Sequence, residues 1–397
     1  MQLPENGCGT SSSEVTVPNN IQDQNIDPLS SPSCTKLELI DTRETSTDVV
    51  EELIVGREEE KGKIISLLES SSEKILILPI HGIGGIGKTT FAKMIYNDTK
   101  FKYYSQVWVY VSPRFDSNKI GNSIISQLTE KESQLNEKQL IRTRLKKLLA
   151  GKKILIVLDD LREDDPYKLF DLKTMLMLGE TGNIIVIVTT RDEHVAKEIG
   201  TIEPYKIELL TKELCWEIIK QKTGFEARDD KEQMKDIGME IASKCGGVPL
   251  AAQSLGYTLR SKDLNEWEKV NDSDVWNEPT SRNGSLQNQV LAALRLSYSG
   301  MDHRLRSCFT YCAIFPKGHN IIKDDLSHQW ISLGFIRPMK APFKKHQLSE
   351  KYIAKLLGMS FLQPSMSPPV SYLCQSPTFK FIISSKELQG NSRKDVI

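Results

Sequence analysis

"HGIGGIGKTT", residues 81–90, decides how this chain is read. It contains Gly82-x-x-x-x-Gly87-Lys88-Thr89 and directly follows the apolar run 75–80. Glycines let such a loop curl until successive backbone N–H groups point inward at a polyphosphate. Lys88 supplies a point charge for the outer phosphates, and the Thr89 hydroxyl suits Mg²⁺. A glycine-rich turn alone is weak, because ordinary loops contain it too. Here an apolar strand precedes the turn, a helix follows it, and Lys88-Thr89 completes the pattern.

Outward from the loop, apolar runs at 75–80, 107–111, 154–158 and 184–188 alternate with helical patterns at 88–97, 117–130, 138–150 and 165–178. Unbroken Val/Ile runs suit strands buried on both faces of a parallel sheet. The alternation predicts a doubly wound α/β P-loop NTPase domain with its ligand at the carboxyl ends of the strands. Pro79 sits awkwardly in the first run, since proline lacks a ladder donor. A helix after "VGREEE" (55–60) is expected to share Ile64, Leu67 and Leu68 on one face. Beyond 205 the strand signal fades, and helical patterns occupy 211–223, 230–245, 248–261, 286–297, 302–314, 323–333 and 347–358. The expected division is a polar, disordered leader over 1–50, the α/β domain over 51–205, helical domains over 206–284 and 285–360, and a tail over 361–397.

Two more strand ends carry chemistry. "KKILIVLDDL" (152–161) ends in acids: Asp159 is the candidate for the Mg²⁺ side, and Asp160 for orienting or deprotonating an attacking water. An Asp reaches less far than a Glu, so any hydrolysis is expected to be slow. A helix N-cap would explain either acid alone but explains the pair poorly. "IIVIVTTRDEHVA" (184–196) sets Arg191 where it can sense a terminal phosphate through charge-assisted hydrogen bonds. Its bland alternative is a surface salt bridge to Asp192 or Glu193. "CGGVPLAAQSLG" (245–256) offers a Gly-Gly turn and then Pro249 at a helix start.

Bulk composition removes several classes of function. The 397 residues carry 52 Lys+Arg and 52 Asp+Glu, so the net charge of zero argues against a general nucleic-acid or membrane-surface role. No apolar run approaches a membrane span, and the N-terminus reads as neither signal nor transit peptide, so a cytoplasmic location is expected. The 7 cysteines are expected to be reduced. Cys308 and Cys312, four apart near His303 and His319, would permit zinc. "CFTYCAIF" nevertheless reads as an apolar helix, which favours core cysteines.

Taken in order, these segments resemble the NB-ARC module of plant nucleotide-binding leucine-rich-repeat disease-resistance proteins. The resemblance runs from about residue 43 to 358 and includes "VGREEE", "GIGGIGKTTFAKMIYND", "VWVYVSPRFD", "KKILIVLDDL", "IIVIVTTRDEHVA", "CGGVPLAAQSLG" and "CFTYCAIFPKGHNIIKDDLSHQWISLGFI". "VWVYVSPRFD" and "CFTYCAIFP" look like the coiled-coil class of these receptors rather than the class with a signalling enzyme domain. The resemblance implies an α/β nucleotide-binding domain, a helical domain and a winged-helix domain closing over ADP, with exchange for ATP opening the module. It implies that Val55, Gly56 and Arg57 border the adenine. Gly84, Gly85, Ile86, Gly87, Lys88, Thr89 and Thr90 would hold the phosphates, Arg191 would sense the terminal phosphate, and Pro249 with Leu250 would pack on the nucleotide. ADP or ATP with Mg²⁺ is the implied cofactor; self-association and immune-signalling proteins are the implied partners.

The sequence also departs from the family. Its aspartate pair is usually followed by an apolar residue and Trp, whereas Arg162 follows Leu161 here. "FKFIISSKEL" (379–388) aligns with the family's Phe-Lys-Met-His-Asp-Leu, so Phe381, Ile382 and Ile383 replace Met-His-Asp. Neither a coiled-coil domain nor leucine-rich repeats are recognisable, and the chain reads as a receptor core. A nucleotide-dependent switch of plant immunity is the leading reading. The alternatives are a P-loop ATPase with ordinary turnover and a winged-helix DNA-binding regulator; a GTPase is disfavoured because no Asn-Lys-x-Asp occurs.

Overall fold

The computed structural model describes residues 54–112, 114–179, 182–277, 285–315, 319–337, 345–364 and 372–375. The expected leader and the 379–388 segment lie outside these residues. The chain enters through α1 (Glu58–Ser70), whose buried stripe is Lys61, Ile64, Ile65 and Leu68. These positions recur at helical spacing. The expected face is therefore corrected: Ile65 is buried, whereas Leu67, on the flank of that stripe, is 44% exposed.

There follow β1 (Ile75–His81), α2 (Lys88–Tyr96), β2 (Ser105–Tyr110), α3 (Ser117–Thr129), α4 (Lys138–Leu149), β3 (Lys153–Leu161), α5 (Pro166–Leu176), β4 (Asn183–Thr190), α6 (Glu193–Ile199) and β5 (Tyr205–Lys206). The strands form one parallel sheet in the order β2-β3-β4-β1-β5. Period-two alternation sends Ile154, Ile156 and Leu158 of β3 into one core, and Leu155 and Val157 into the other. Two covered faces explain why the strands read as unbroken apolar runs rather than alternating ones. Pro79 fits because its parity matches Ile77, whose N–H and C=O face Thr201 on the β5 side. There β5 pairs only from Ile80 onward, so the missing donor breaks no ladder bond.

The second half contains α7 (Lys212–Thr223), α8 (Lys231–Lys244), α9 (Pro249–Leu259), α10 (Leu264–Asn271), α11 (Ser285–Ser299), α12 (His303–Tyr311), β6 (Ile321–Ile322), α13 (Lys323–Ser332), α14 (Lys345–Gly358), β7 (Leu362–Pro364) and β8 (Tyr372–Gln375). The three short strands make an antiparallel sheet, β6-β8-β7. Two of them lie beyond residue 360, where the second helical domain was expected to end. A single hydrophobic cluster runs from Leu210 to Leu362, so the helices and this small sheet share a core. Cys308 and Cys312 are buried in it, and burial pushes both thiols up. They serve as core residues.

At the centre of the helical part, Trp216 and Trp267 meet edge to face with centroids 6.5 Å apart. Gly238 of α8 lies against them: a Cβ there would come within 2.3 Å of Trp216 and 3.1 Å of Trp267. In an open helix, Gly→Ala stabilises by up to about 1 kcal/mol. Here the rings are buried and cannot move aside. Gly238→Ala is therefore expected to destabilise the protein by about 1–3 kcal/mol. A lower urea midpoint checks the sign, and a raised midpoint would refute this packing.

Candidate nucleotide-binding site

Strand order assembles the site. Because β4 lies between β1 and β3, the segments leaving their carboxyl ends sit side by side. The glycine loop follows β1, Asp159 and Asp160 end β3, and Arg191 follows β4. Gly87 adopts φ 99 as the N-cap of α2, a conformation that favours glycine. Gly85 has φ 85, and a Cβ there would lie 2.9 Å from Leu250. The N-terminal amides of α2 are thereby turned toward one cavity.

The Lys88 ammonium is buried and donates to the carbonyls of Gly82 at 2.8 Å and Ile83 at 3.0 Å. Burial first, and Arg191 next, push its pKa down to about 8, with Asp160 and Asp159 opposing. Asp159 is fully buried, and its Oδ1 accepts from Thr89 Oγ1 at 2.8 Å and Thr189 Oγ1 at 2.7 Å. Asp160 has φ 65, and its N–H donates to Thr189 Oγ1 at 2.8 Å. Its carboxylate pairs with Arg162 and lies 3.7 Å from Arg191 Nε. Neither acid caps a helix; Asp165 caps α5. Arg191 likewise turns to Asp160, while Asp192 caps α6 and Glu193 pairs with Lys197.

These groups border a cavity of about 200 Å³ lined by Val55, Arg57, Gly84, Gly85, Ile86, Gly87, Lys88, Thr89, Thr90, Asp160, Arg191, Pro249 and Leu250. Three expected residues stand just behind its wall. Gly56 makes a positive-φ turn against Leu214, Gly82 accepts from Lys88, and Asp159 anchors Thr89. Arg57 does more than border the cavity: its Nη2 donates to the carbonyls of Ile86 at 3.2 Å and Glu208 at 2.9 Å. It thus ties the entry turn to the glycine loop.

Gln221, Lys222, Gln253, Ser360 and Gln363 also line the cavity and were missed from sequence. Ser360, at φ 60 between α14 and β7, donates to Gln253 Oε1 of α9 at 3.1 Å. No motif marks these residues; only tertiary packing brings them to the loop.

Residues 57–230 match the family model described as the NB-ARC domain, and residues 314–374 match the disease resistance protein winged helix domain. The chain carries an NB-ARC domain and a disease-resistance winged-helix domain. NB-ARC is a nucleotide-binding domain of the P-loop type, which accords with the geometry above. Disease resistance protein RGA2 of Solanum bulbocastanum is 37% identical over 329 residues, covering 81% of this chain and 33% of the relative. Disease resistance RPP13-like protein 4 of Arabidopsis thaliana is 32% identical over 293 residues, covering 71% of this chain and 34% of the relative. The chain thus spans about a third of the length of these relatives. A Signal Transduction ATPase with Numerous Domains (STAND) protein with a tetratricopeptide repeat sensor, from Pyrococcus horikoshii, superposes with TM-score 0.51 at 15% identity. That superposition covers 87% of this chain and 44% of the other, and shows a shared fold. Among the described residues, no helix is long and apolar enough to cross a membrane.

The lowered Lys88 pKa has a measurable consequence. In the free protein this lysine loses its charge as pH rises through about 8. A bound polyphosphate favours the charged form, so binding above that pH must take up a proton. Calorimetry in buffers of different ionisation heat should find uptake of nearly one proton at about pH 9 and little at about pH 7. Affinity should fall by up to about tenfold per unit between them. A flat profile would mean that Lys88 stays charged without nucleotide.

Proposed function

We propose that this chain is an ADP/ATP-binding switch core whose bound nucleotide is enclosed by segments from all three parts of the fold. The observation that carries this reading is the convergence on one cavity of Lys88, Arg191, Pro249, Leu250, Ser360 and Gln363. A diphosphate in the loop would meet the α2 amides and the Lys88 ammonium. A third phosphate would extend toward Arg191, whose guanidinium lies within 3.2 Å of where a Cβ on Gly84 would be. A switch needs such a difference, because a ligand shifts a conformation only through differential interaction with its states.

Thr89 and Asp159 would hold Mg²⁺, directly or through water. Their oxygens lie 2.8 Å apart, and among the described residues no group of three or more His, Cys, Asp or Glu could hold a metal by itself. One hydroxyl and one carboxylate fit an ion that takes its other ligands from phosphates and water. Mg²⁺ would supply charge neutralisation on the outer phosphates.

The relatives are named disease resistance proteins, and the switch is proposed to serve plant defence in the cytoplasm. Self-association and immune-signalling proteins are its proposed partners. Hydrolysis is expected to be slow, resetting the switch rather than sustaining turnover.

Purified protein should release ADP on denaturation, identified by chromatography. Lys88→Arg should lose most of that occupancy, because a guanidinium is bulkier and planar where the loop holds a compact ammonium. Steady-state ATP turnover should lie at or below the low end of the usual range, about 1 s⁻¹. GTP in the extract, or turnover well inside the enzyme range, would reject the reading.

A further inference from the structure

The Asp160 carboxylate faces the nucleotide cavity, and it is paired with an arginine two residues along the chain. β3 breaks register between Leu158 and Leu161, and Asp160 takes the left-handed conformation at φ 65. This conformation is unfavourable for a residue other than glycine and is typical of functional sites. The turn brings the Arg162 guanidinium onto Asp160 Oδ2, while Oδ1 lies 3.7 Å from Arg191 Nε. Asp160 is 11% exposed and Arg162 29% by side chain, and among the described residues the buried Arg162 Nε finds no hydrogen-bond partner. A solvated surface pair would leave no donor in that position. The carboxylate is therefore held at Oδ2 by the Arg162 guanidinium, with the Arg191 guanidinium near Oδ1, beside the loop that grips phosphate.

We propose that Arg162 is a positioning residue that restrains hydrolysis, by engaging the Asp160 carboxylate that would otherwise take a proton from the water attacking a bound ATP. This rests on the nucleotide-switch reading. In hydrolysis the water oxygen bonds to the terminal phosphorus, and the bridging P–O bond breaks with its electron pair leaving on ADP. The water's proton passes to the Asp160 carboxylate and then to the released phosphate. A carboxylate with one oxygen taken by the Arg162 guanidinium, and Arg191 beside the other, is a poorer acceptor for that proton. General-base assistance is typically worth 10²–10⁴-fold, so partial withdrawal is a sizeable brake. The consequence is a chain that keeps ATP after exchanging for it, which lengthens the ATP-bound state.

The test compares the full chain with Arg162→Leu, Arg162→Gln, Arg162→Lys and the double variant Asp160→Asn/Arg162→Leu. ATP affinity is read with a fluorescent analogue, and hydrolysis in a single turnover with Mg²⁺ and excess protein. Arg162→Leu and Arg162→Gln are expected to hydrolyse at least about tenfold faster, with affinity within about twofold of the parent. Arg162→Gln keeps much of the stem and hydrogen-bonding capacity if Arg162→Leu folds poorly. Arg162→Lys should stay near the parent rate, and the double variant should lose the gain. Hydrolysis at or below the parent rate in both neutral variants, with ATP still bound, overturns the proposal alone. A gain that survives Asp160→Asn also overturns it, as does a tenfold loss of affinity, which would make Arg162 a direct phosphate ligand. A parent chain that binds no ATP overturns this proposal together with the switch reading.

Discussion

A lysine ammonium held out of water is the constraint on which the rest of this structure depends. Lys88 is buried at the start of α2, and among the described residues the carbonyls of Gly82 and Ile83 accept its hydrogen bonds. A buried cation is expensive unless it is paired, and Arg191 adds a second positive charge nearby. Asp159 and Asp160 offset part of this field, but both are committed elsewhere: Asp159 to Thr89 and Thr189, Asp160 to the arginines. The unbalanced positive field at a helix N-terminus is what a polyphosphate satisfies.

The same loop is also where the parts of the chain meet. The N–H of Leu250 donates to the Gly85 carbonyl at 3.3 Å, and its side chain fills the space that a Cβ on Gly85 would need. Helix α9 is thus fastened to the phosphate loop by backbone and side chain together. One turn further along α9, Gln253 receives the Ser360 hydroxyl, and α14 ends with Gly358 packed on the Tyr257 ring. The connection from loop to α9 to the winged-helix sheet is therefore continuous.

Much of the α/β part was legible because its physics is local. Val/Ile runs buried on both faces, and a glycine loop with Lys and Thr, are signals within single segments. Failures came where the signal was short or tertiary. β5 has two residues and leaves no pattern. α10 was overlooked although Asp263 and Glu266 form a capping box, a signal present in the sequence. Leu67 is expected on the face that Ile65 occupies, two positions away in a helix that begins with charged residues. The pairing of Asp160 with Arg162 left no trace in the sequence, because it requires a left-handed residue that no pattern announces. Ser360 and Gln363 reach the cavity only because α14 packs on α9.

The proposed switch requires that the segments of α9 and after α14 that line the cavity respond to which nucleotide it holds. Hydrogen–deuterium exchange of the full chain, with ADP and with a non-hydrolysable ATP analogue, tests it most directly. With ADP, the backbone amides at 84–90, 250–253 and 360–363 should all be protected. With the triphosphate, the loop at 84–90 should stay protected while 360–363 exchanges faster. Equal protection of 360–363 by both nucleotides, or by neither, would contradict the nucleotide-switch reading.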